Sequence, residues 1–208
     1  MEQNQKQTEK PAAAEAPAPS PPVPKLTPKQ KFFYSTGCLF ELTKWMAVLI
    51  VLGVLVHFFV GTIYIVDGQS MEPNFFSGQS IIVNRWQYNF GSPRRGEVVV
   101  LKFPGDPEHK KYIKRIIGLP GEKIAIKDNQ IFINDRLLKE TYLPQGTQTI
   151  PNLSRVLGTS DYFLLGDNRT NSSDSRIWGT CPERDLIGKA WYTFWPASLW
   201  GLVPEISY

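Results

Sequence analysis

The stretch KYIKRIIGLPGEKIAIKDNQIFI, residues 111–133, decides the fold class. Its apolar residues fall in short β-rich runs separated by Gly, Pro, Asp and Asn, with little of the 3.6-residue period a helix would show. The second half reads as a hairpin, Ile124-Ala125-Ile126 and Ile131-Phe132-Ile133 flanking a turn at Lys127–Gln130, with one apolar face. In the first half, period-2 alternation sets Lys114 on the face of Tyr112 and Ile116 and sets Ile113, Arg115 and Ile117 on the other. Isoleucine stands on both faces, so the strand is predicted to be covered on both sides and Lys114 to be desolvated. An exposed edge lysine is the alternative.

Outward from this stretch, strands are predicted at Ser80–Arg85, Glu97–Phe103, Tyr112–Ile117, Tyr162–Leu165 and Leu186–Phe194. Residues 67–208 therefore read as one mainly β unit. A long loop or small lobe is expected around residues 119–160, most clearly in the polar, turn-rich Lys139–Ser160, and no internal repeat is present.

Upstream the character changes. Residues 45–66, WMAVLIVLGVLVHFFVGTIYIV, carry no charge over 22 positions, about 33 Å of helix at about 1.5 Å per residue. This predicts one transmembrane helix. It is longer, and begins further into the chain, than a signal-peptide core. Residues 1–44 are expected to form a cytoplasmic tail, disordered where seven of the 17 prolines crowd between Pro11 and Pro28. Lys25, Lys29, Lys31 and Lys44 precede the apolar run and no Lys or Arg follows until Arg85, so the amino terminus should be cytoplasmic and residues 67–208 extracytoplasmic, at the plasma or an internal membrane. Cys38 and Cys181 then lie on opposite sides and should not pair with each other.

Composition excludes other classes. The 208 residues are 42% hydrophobic and 20% charged, enough for a folded core. A net charge of +4 from 23 Lys+Arg and 19 Asp+Glu, with no block of like charge, gives no nucleic-acid footprint. Two Cys and two His are too few for a Cys/His metal centre or a disulfide scaffold, so no metal and no cofactor are expected.

The histidines also argue against a Ser–His–Asp hydrolase. His57 lies inside the apolar run, and His109 sits in the charged loop Asp106–Lys111. A serine nucleophile would therefore need another base, and a lysine kept neutral is the known alternative. Three segments fit it: Asp67-Gly68-Gln69-Ser70-Met71-Glu72-Pro73 directly after the apolar run, Lys111–Gly121 with Lys114 inside a strand, and the dense polar segment Gly166–Gly179.

Taken together, Ser70-Met71-x-Pro73, Tyr112-Ile113-Lys114-Arg115 followed by Gly118-Leu119-Pro120-Gly121, and Gly166-Asp167-Asn168-Arg169-x-Asn171-Ser172-Ser173-Asp174-Ser175-Arg176-x-Trp178-Gly179 resemble type I signal peptidase over residues 45–196. That family is the membrane-bound Ser–Lys protease that removes signal peptides from exported preproteins. The resemblance implies a signal-peptidase-like antiparallel β-sheet or barrel domain with Ser70 as nucleophile and Lys114 as general base. It implies that Ser172 holds and orients the Lys114 amine, that Asp167, Asp174 and Arg176 brace the loop beneath it, and that Arg115 is structural. Substrate would bind as an added strand beside Asp67, Gly68, Gln69, Tyr112 and Ile113, with small side chains at the first and third positions before the cut. Partners would be secretory preproteins and membrane lipid. Gly68 stands where some members carry a hydroxyl oxyanion donor, leaving the Ser70 N–H and an unidentified substitute; Thr170 and Ile177 also depart from the common pattern.

From Val66 to Ser70 is four residues, at most about 14 Å, which keeps the hydroxyl near the membrane surface. Phe75, Phe76 and the run Trp191–Trp195 could place rings at the headgroups or in the core. Two other classes are weighed: a self-cleaving repressor, which would need a DNA-binding module where the apolar run stands, and a non-enzymatic, membrane-anchored β domain.

Overall fold

The computed structural model describes residues 27–208 apart from 107, 109 and 207, and only the backbone of 28–36, 38 and 56–60. The larger sheet runs, in spatial order, β1 (Thr62–Ile65), β2 (Ser80–Asn84), β11 (Leu186–Trp195), β3 (Val98–Lys102), β4 (Lys111–Gly118), β9 (Asp161–Leu165) and β10 (Cys181–Pro182), with β12 (Gly201–Leu202) on β11. A smaller sheet runs β7 (Arg136–Leu137), β6 (Gln130–Ile133), β5 (Lys123–Lys127) and β8 (Leu153–Val156). Every neighbouring pair is antiparallel, as expected. The larger sheet is an open path ending at β1 and β10 rather than a closed barrel.

β4 explains why the opening stretch is so rich in isoleucine. Ile113 packs with Val98, Val100 and Ala190, Ile116 with Val99, Leu101 and Leu164, and Ile117 with Ile124, Ile126 and Leu165. One strand thus feeds three apolar clusters, and residues Ile113 to Gly118 are buried on both faces. Its hairpin neighbour pairs Ile124 with Ile133 and Ile126 with Ile131, the register the alternating pattern requires.

Helix α1 (Pro28–Val60) differs from the prediction at both ends. Residues 28–44 are helical rather than part of a disordered tail, whereas residues 1–26 lie outside the described residues. The predicted span of 45–66 stops being helix at Val60. Gly61 takes φ +121, and a Cβ there would lie 2.3 Å from the Val83 carbonyl oxygen; the chain turns there and Thr62–Ile65, Ile-rich and led by a β-branched residue, pair with β2. Among the described residues no helix is long and apolar enough to cross a membrane. Every large apolar side chain described between Leu39 and Leu55 is nonetheless exposed. The small elements α2 (Gln87–Phe90) and α3 (Ser175–Trp178) complete the helices.

Cys181 is a free thiol buried in the β3–β9 cluster, and burial pushes its pKa up to about 12. The Cys38 side chain, the His57 side chain and His109 lie outside the described residues. Of the aromatics that could lie at the headgroups or in the core, Phe75 is buried, whereas Phe76, Trp191, Phe194 and Trp195 are exposed.

Candidate active site

β1 delivers the chain to a tight turn that presents Ser70. The Val66 N–H donates to the Gln79 carbonyl (2.7 Å) and the Gly78 N–H to the Val66 carbonyl (2.8 Å), closing the loop at its base. Gly68, at φ +88, supplies the left-handed bend that other residues adopt at a cost. Met71 and Phe75, almost fully buried, sink the following turn into the core, so the serine is held by packing as well as by hydrogen bonds.

Lys114, in β4, reaches this turn. Its Nζ lies 2.6 Å from Ser70 Oγ and 2.9 Å from the Ile113 carbonyl oxygen, 3% of the residue is exposed, and the Tyr112 ring centroid is 5.3 Å away. Burial pulls its pKa down to about 8, because charging a desolvated amine forfeits hydration; the charges of Asp174 and Asp167 oppose this only in part. The prediction that Lys114 is desolvated inside a doubly covered strand is met.

The carboxylates near Lys114 are already engaged. Asp167 accepts from Arg115 Nε (2.8 Å) and Nη2 (2.6 Å) and from Asn74 Nδ2 (2.8 Å). Asp174 accepts from Arg176 Nε (2.8 Å) and Nη2 (2.7 Å), from the Gly166 N–H (3.0 Å) and, as the cap of α3, from the Arg176 N–H. Arg115 is thus ion-paired with Asp167, and Arg176 with Asp174, so both carboxylates of the Gly166–Gly179 segment are engaged. The Asn168 N–H donates to the Ser70 carbonyl (3.0 Å), joining that loop to the Ser70 turn.

Ser172 differs from expectation. Its Oγ is buried without a hydrogen-bond partner and makes no bond to Lys114. It packs instead over Gly166, where a Cβ would fall 2.2 Å from Ser172 Oγ and 2.4 Å from the Ser70 carbonyl oxygen. Glycine at 166 is what lets the two serine-bearing segments close on each other.

Sequence reasoning gave no role to Arg169, Glu140, Tyr142, Thr149 or Asn74. Arg169, 2% exposed, pairs with both Glu140 oxygens and donates to Thr149 Oγ1 (2.7 Å) and the Gly166 carbonyl (3.1 Å). Tyr142 lies over the Arg115 guanidinium at 4.4 Å. The signal was the density of charge in 166–179, but its partners in 139–160 have no periodicity to betray them.

A cleft of about 240 Å³ adjoins the pair. Asp67, Gly68, Gln69, Tyr112 and Ile113 all line it with Ser70 and Lys114, and Asn171 and Ser173 close it. β4 pairs with β9 only from Arg115 onward, so residues 111–114 keep that edge free for an added strand. At Gly68, where the side-chain donor is absent, the N–H donates to Ser77 Oγ (3.3 Å). Among the described residues no group of three His, Cys, Asp or Glu side chains is placed to hold a metal.

Residues 39–195 match the family described as signal peptidase, peptidase S26. The chain is 33% identical over 183 residues to Signal peptidase I of Leptolyngbya laminosa, covering 82% of this chain and 87% of the relative. It is 34% identical over 178 residues to Signal peptidase IB of Staphylococcus aureus, covering 76% and 92%. A crystal structure of a signal peptidase I from Enterococcus faecalis aligns at 26% identity with a TM-score of 0.43, covering 48% of this chain and 97% of that one.

Proposed function

Because the chain belongs to the signal peptidase family, peptidase S26, and is a serine endopeptidase that cleaves signal peptides from preproteins, we propose that Ser70 is its nucleophile and Lys114 its general base. The observation that carries the assignment is the 2.6 Å contact between a serine hydroxyl and an amine whose pKa burial has brought to about 8. At pH 7 about one-tenth of such amines are neutral, against about 0.03% of unperturbed ones.

The neutral Nζ accepts the Ser70 proton as Oγ attacks the scissile carbonyl. Negative charge gathers on the carbonyl oxygen, where the Ser70 N–H donates to it. The Lys114 ammonium then gives its proton to the departing amine, and the carbon–nitrogen bond breaks to leave the signal peptide acylated on Ser70. Water, losing a proton to the regenerated amine, cleaves that ester and frees the enzyme. Ser172, whose hydroxyl has no other partner, is the group available to hold the amine when Ser70 is acylated.

Substrate adds as an extended strand against residues 111–114 and the Asp67–Ser70 turn, with alternate side chains entering the cleft, so residues one and three before the cut must be small. The exposed apolar stretch of α1 supports anchoring in lipid, and the lysines ahead of it favour a cytoplasmic amino terminus with the β domain across the membrane. Reporter fusions at residues 28 and 208 test that topology: reporters on one side refute it. Detergent-solubilised wild type, Ser70→Ala, Lys114→Ala and Lys114→Arg incubated with a preprotein test the chemistry. The three variants should be folded by circular dichroism and inactive; a folded, active Lys114→Ala refutes the assignment.

A further inference from the structure

The segment after β11 lies beyond the family match, which ends at residue 195, yet it is built into the active-site support at two places. Its first part adds β12 to β11, pairing Gly201 with Thr193 and Leu202 with Tyr192, and the Val203 N–H donates to the Trp191 carbonyl (2.9 Å). Val203 is then buried in the same cluster as Met71 and Phe75, the residues that hold the Ser70 turn.

Its second part closes over Arg115. Glu205 pairs with Lys189 (2.5 Å), which pairs with Glu97 (3.0 Å). Next to Glu97, Gly96 takes φ +89, and a Cβ on it would meet the Ile206 carbonyl oxygen at 2.7 Å and the Tyr208 ring at 2.9 Å. The segment crosses so close that only glycine fits, and the Gly96 carbonyl is an acceptor for Arg115 Nη1 (2.8 Å). Tyr208 meets Tyr142 edge to face, centroids 6.4 Å apart at 87°, and Tyr142 covers the Arg115 guanidinium.

We propose that residues 203–206 and Tyr208 strap the catalytic support and that Tyr208 is a positioning residue, wedging Tyr142 onto Arg115 so that Arg115 stays locked on Asp167. This rests on the Ser70–Lys114 reading. The charges facing the Lys114 amine are Asp167 and Asp174, from the segment that follows β9, alongside Arg115 on its own strand, the Ser70 hydroxyl and the Tyr112 ring. With the strap intact, Arg115 offsets the Asp167 charge. Loosening it leaves Asp167 less compensated and admits water beside the amine, and both changes favour the ammonium. The acid limb of the activity profile must then move toward alkaline pH.

The test is kcat and KM of the full chain in detergent from pH 5 to 10, with Tm, for Tyr208→Ala, Tyr208→Phe and Leu202→Ala. Leu202 is exposed on the same segment and serves as control. Tyr208→Ala should move the acid limb of kcat up by about half to one pH unit, a loss of about three- to tenfold below the midpoint, with KM within about twofold. Tyr208→Phe, which keeps the ring contact but loses the hydrogen bond to Tyr142, should shift the limb less than the alanine variant, and Leu202→Ala should follow wild type. Should Tyr208→Ala fail to fold, Tyr208→Leu, which keeps apolar bulk without the aromatic edge, should shift the limb in the same direction. An unmoved limb overturns the strap whatever the Tm, because lost stability alone lowers kcat at every pH alike. A Tyr208→Phe as shifted as the alanine variant also overturns it. If Lys114→Ala retains activity, the Ser70–Lys114 reading has failed, a result separable from an unmoved limb in Tyr208→Ala.

Discussion

Two lysines of this domain expose little surface, Lys114 at 3% and Lys189 at 7%, and their environments drive them in opposite directions. Burial lowers the pKa of both. At Lys114 that effect dominates and the value falls to about 8. At Lys189 hydrogen bonds and charges from Glu205 and Glu97 outweigh it, and the pKa rises. Burial alone therefore does not make a base. Two differences separate the sites: Lys189 lies nearer the surface, beside the exposed Glu205, and the carboxylates nearest Lys114 are already held by Arg115 and Arg176.

The largest effect should come from removing the reacting groups. Ser70→Ala and Lys114→Ala should each lower kcat/KM by about 10⁴-fold or more, and Lys114→Arg, permanently charged, should match the alanine variant. Lys189→Met should leave the chemistry in place, which preprotein cleavage by folded protein will show.

In stability the contrast should invert. Lys189→Met strands Glu97 in the interior and should cost about 3–5 kcal/mol in urea denaturation, as should Arg115→Ala, which strands Asp167. Lys114→Met should instead stabilise, by about 1–3 kcal/mol at pH 7. The sign follows from linkage: the native amine titrates near 8 and the unfolded one near 10.5, so the native state binds fewer protons and wild-type stability rises between those pH values. Lys114→Met should abolish that rise.

The smallest effects sharpen the comparison by their absence. His109→Ala should change kcat/KM by less than about twofold, since no step passes through it. Cys181, buried with its thiol pKa pushed up to about 12, should resist alkylation at pH 8 in the native state and react once the protein is denatured.

Much of this was legible in the sequence because the strands alternate or run as isoleucine and valine. Lys114 could be placed in a covered strand from Ile113, Ile116 and Ile117 alone. What was hidden had a physical cause in each case. Thr62–Ile65 is as apolar as the helix before it, so hydropathy runs through a boundary that Gly61 sets by backbone conformation. β8 is exposed over three of its four residues, with Leu153 and Val156 at its ends and Ser154-Arg155 between them, and therefore gives no alternation. The covering of Arg115 by Tyr142, and of Tyr142 by Tyr208, joins residues far apart in the chain, which no local pattern encodes. The reverse failure is Ser172: its box was recognisable, but its hydroxyl packs over Gly166 and makes no bond to the amine.

The account rests on Lys114 being the titrating base, and the pH dependence of wild-type kcat/KM on a preprotein between pH 5 and 10 tests this most directly, because it reports the free enzyme. The predicted profile has a single acid limb with its midpoint near the Lys114 value of about 8, falling about tenfold per pH unit below it. Activity unchanged down to pH 5, or a limb near 6.5 that disappears in His109→Ala, would contradict it.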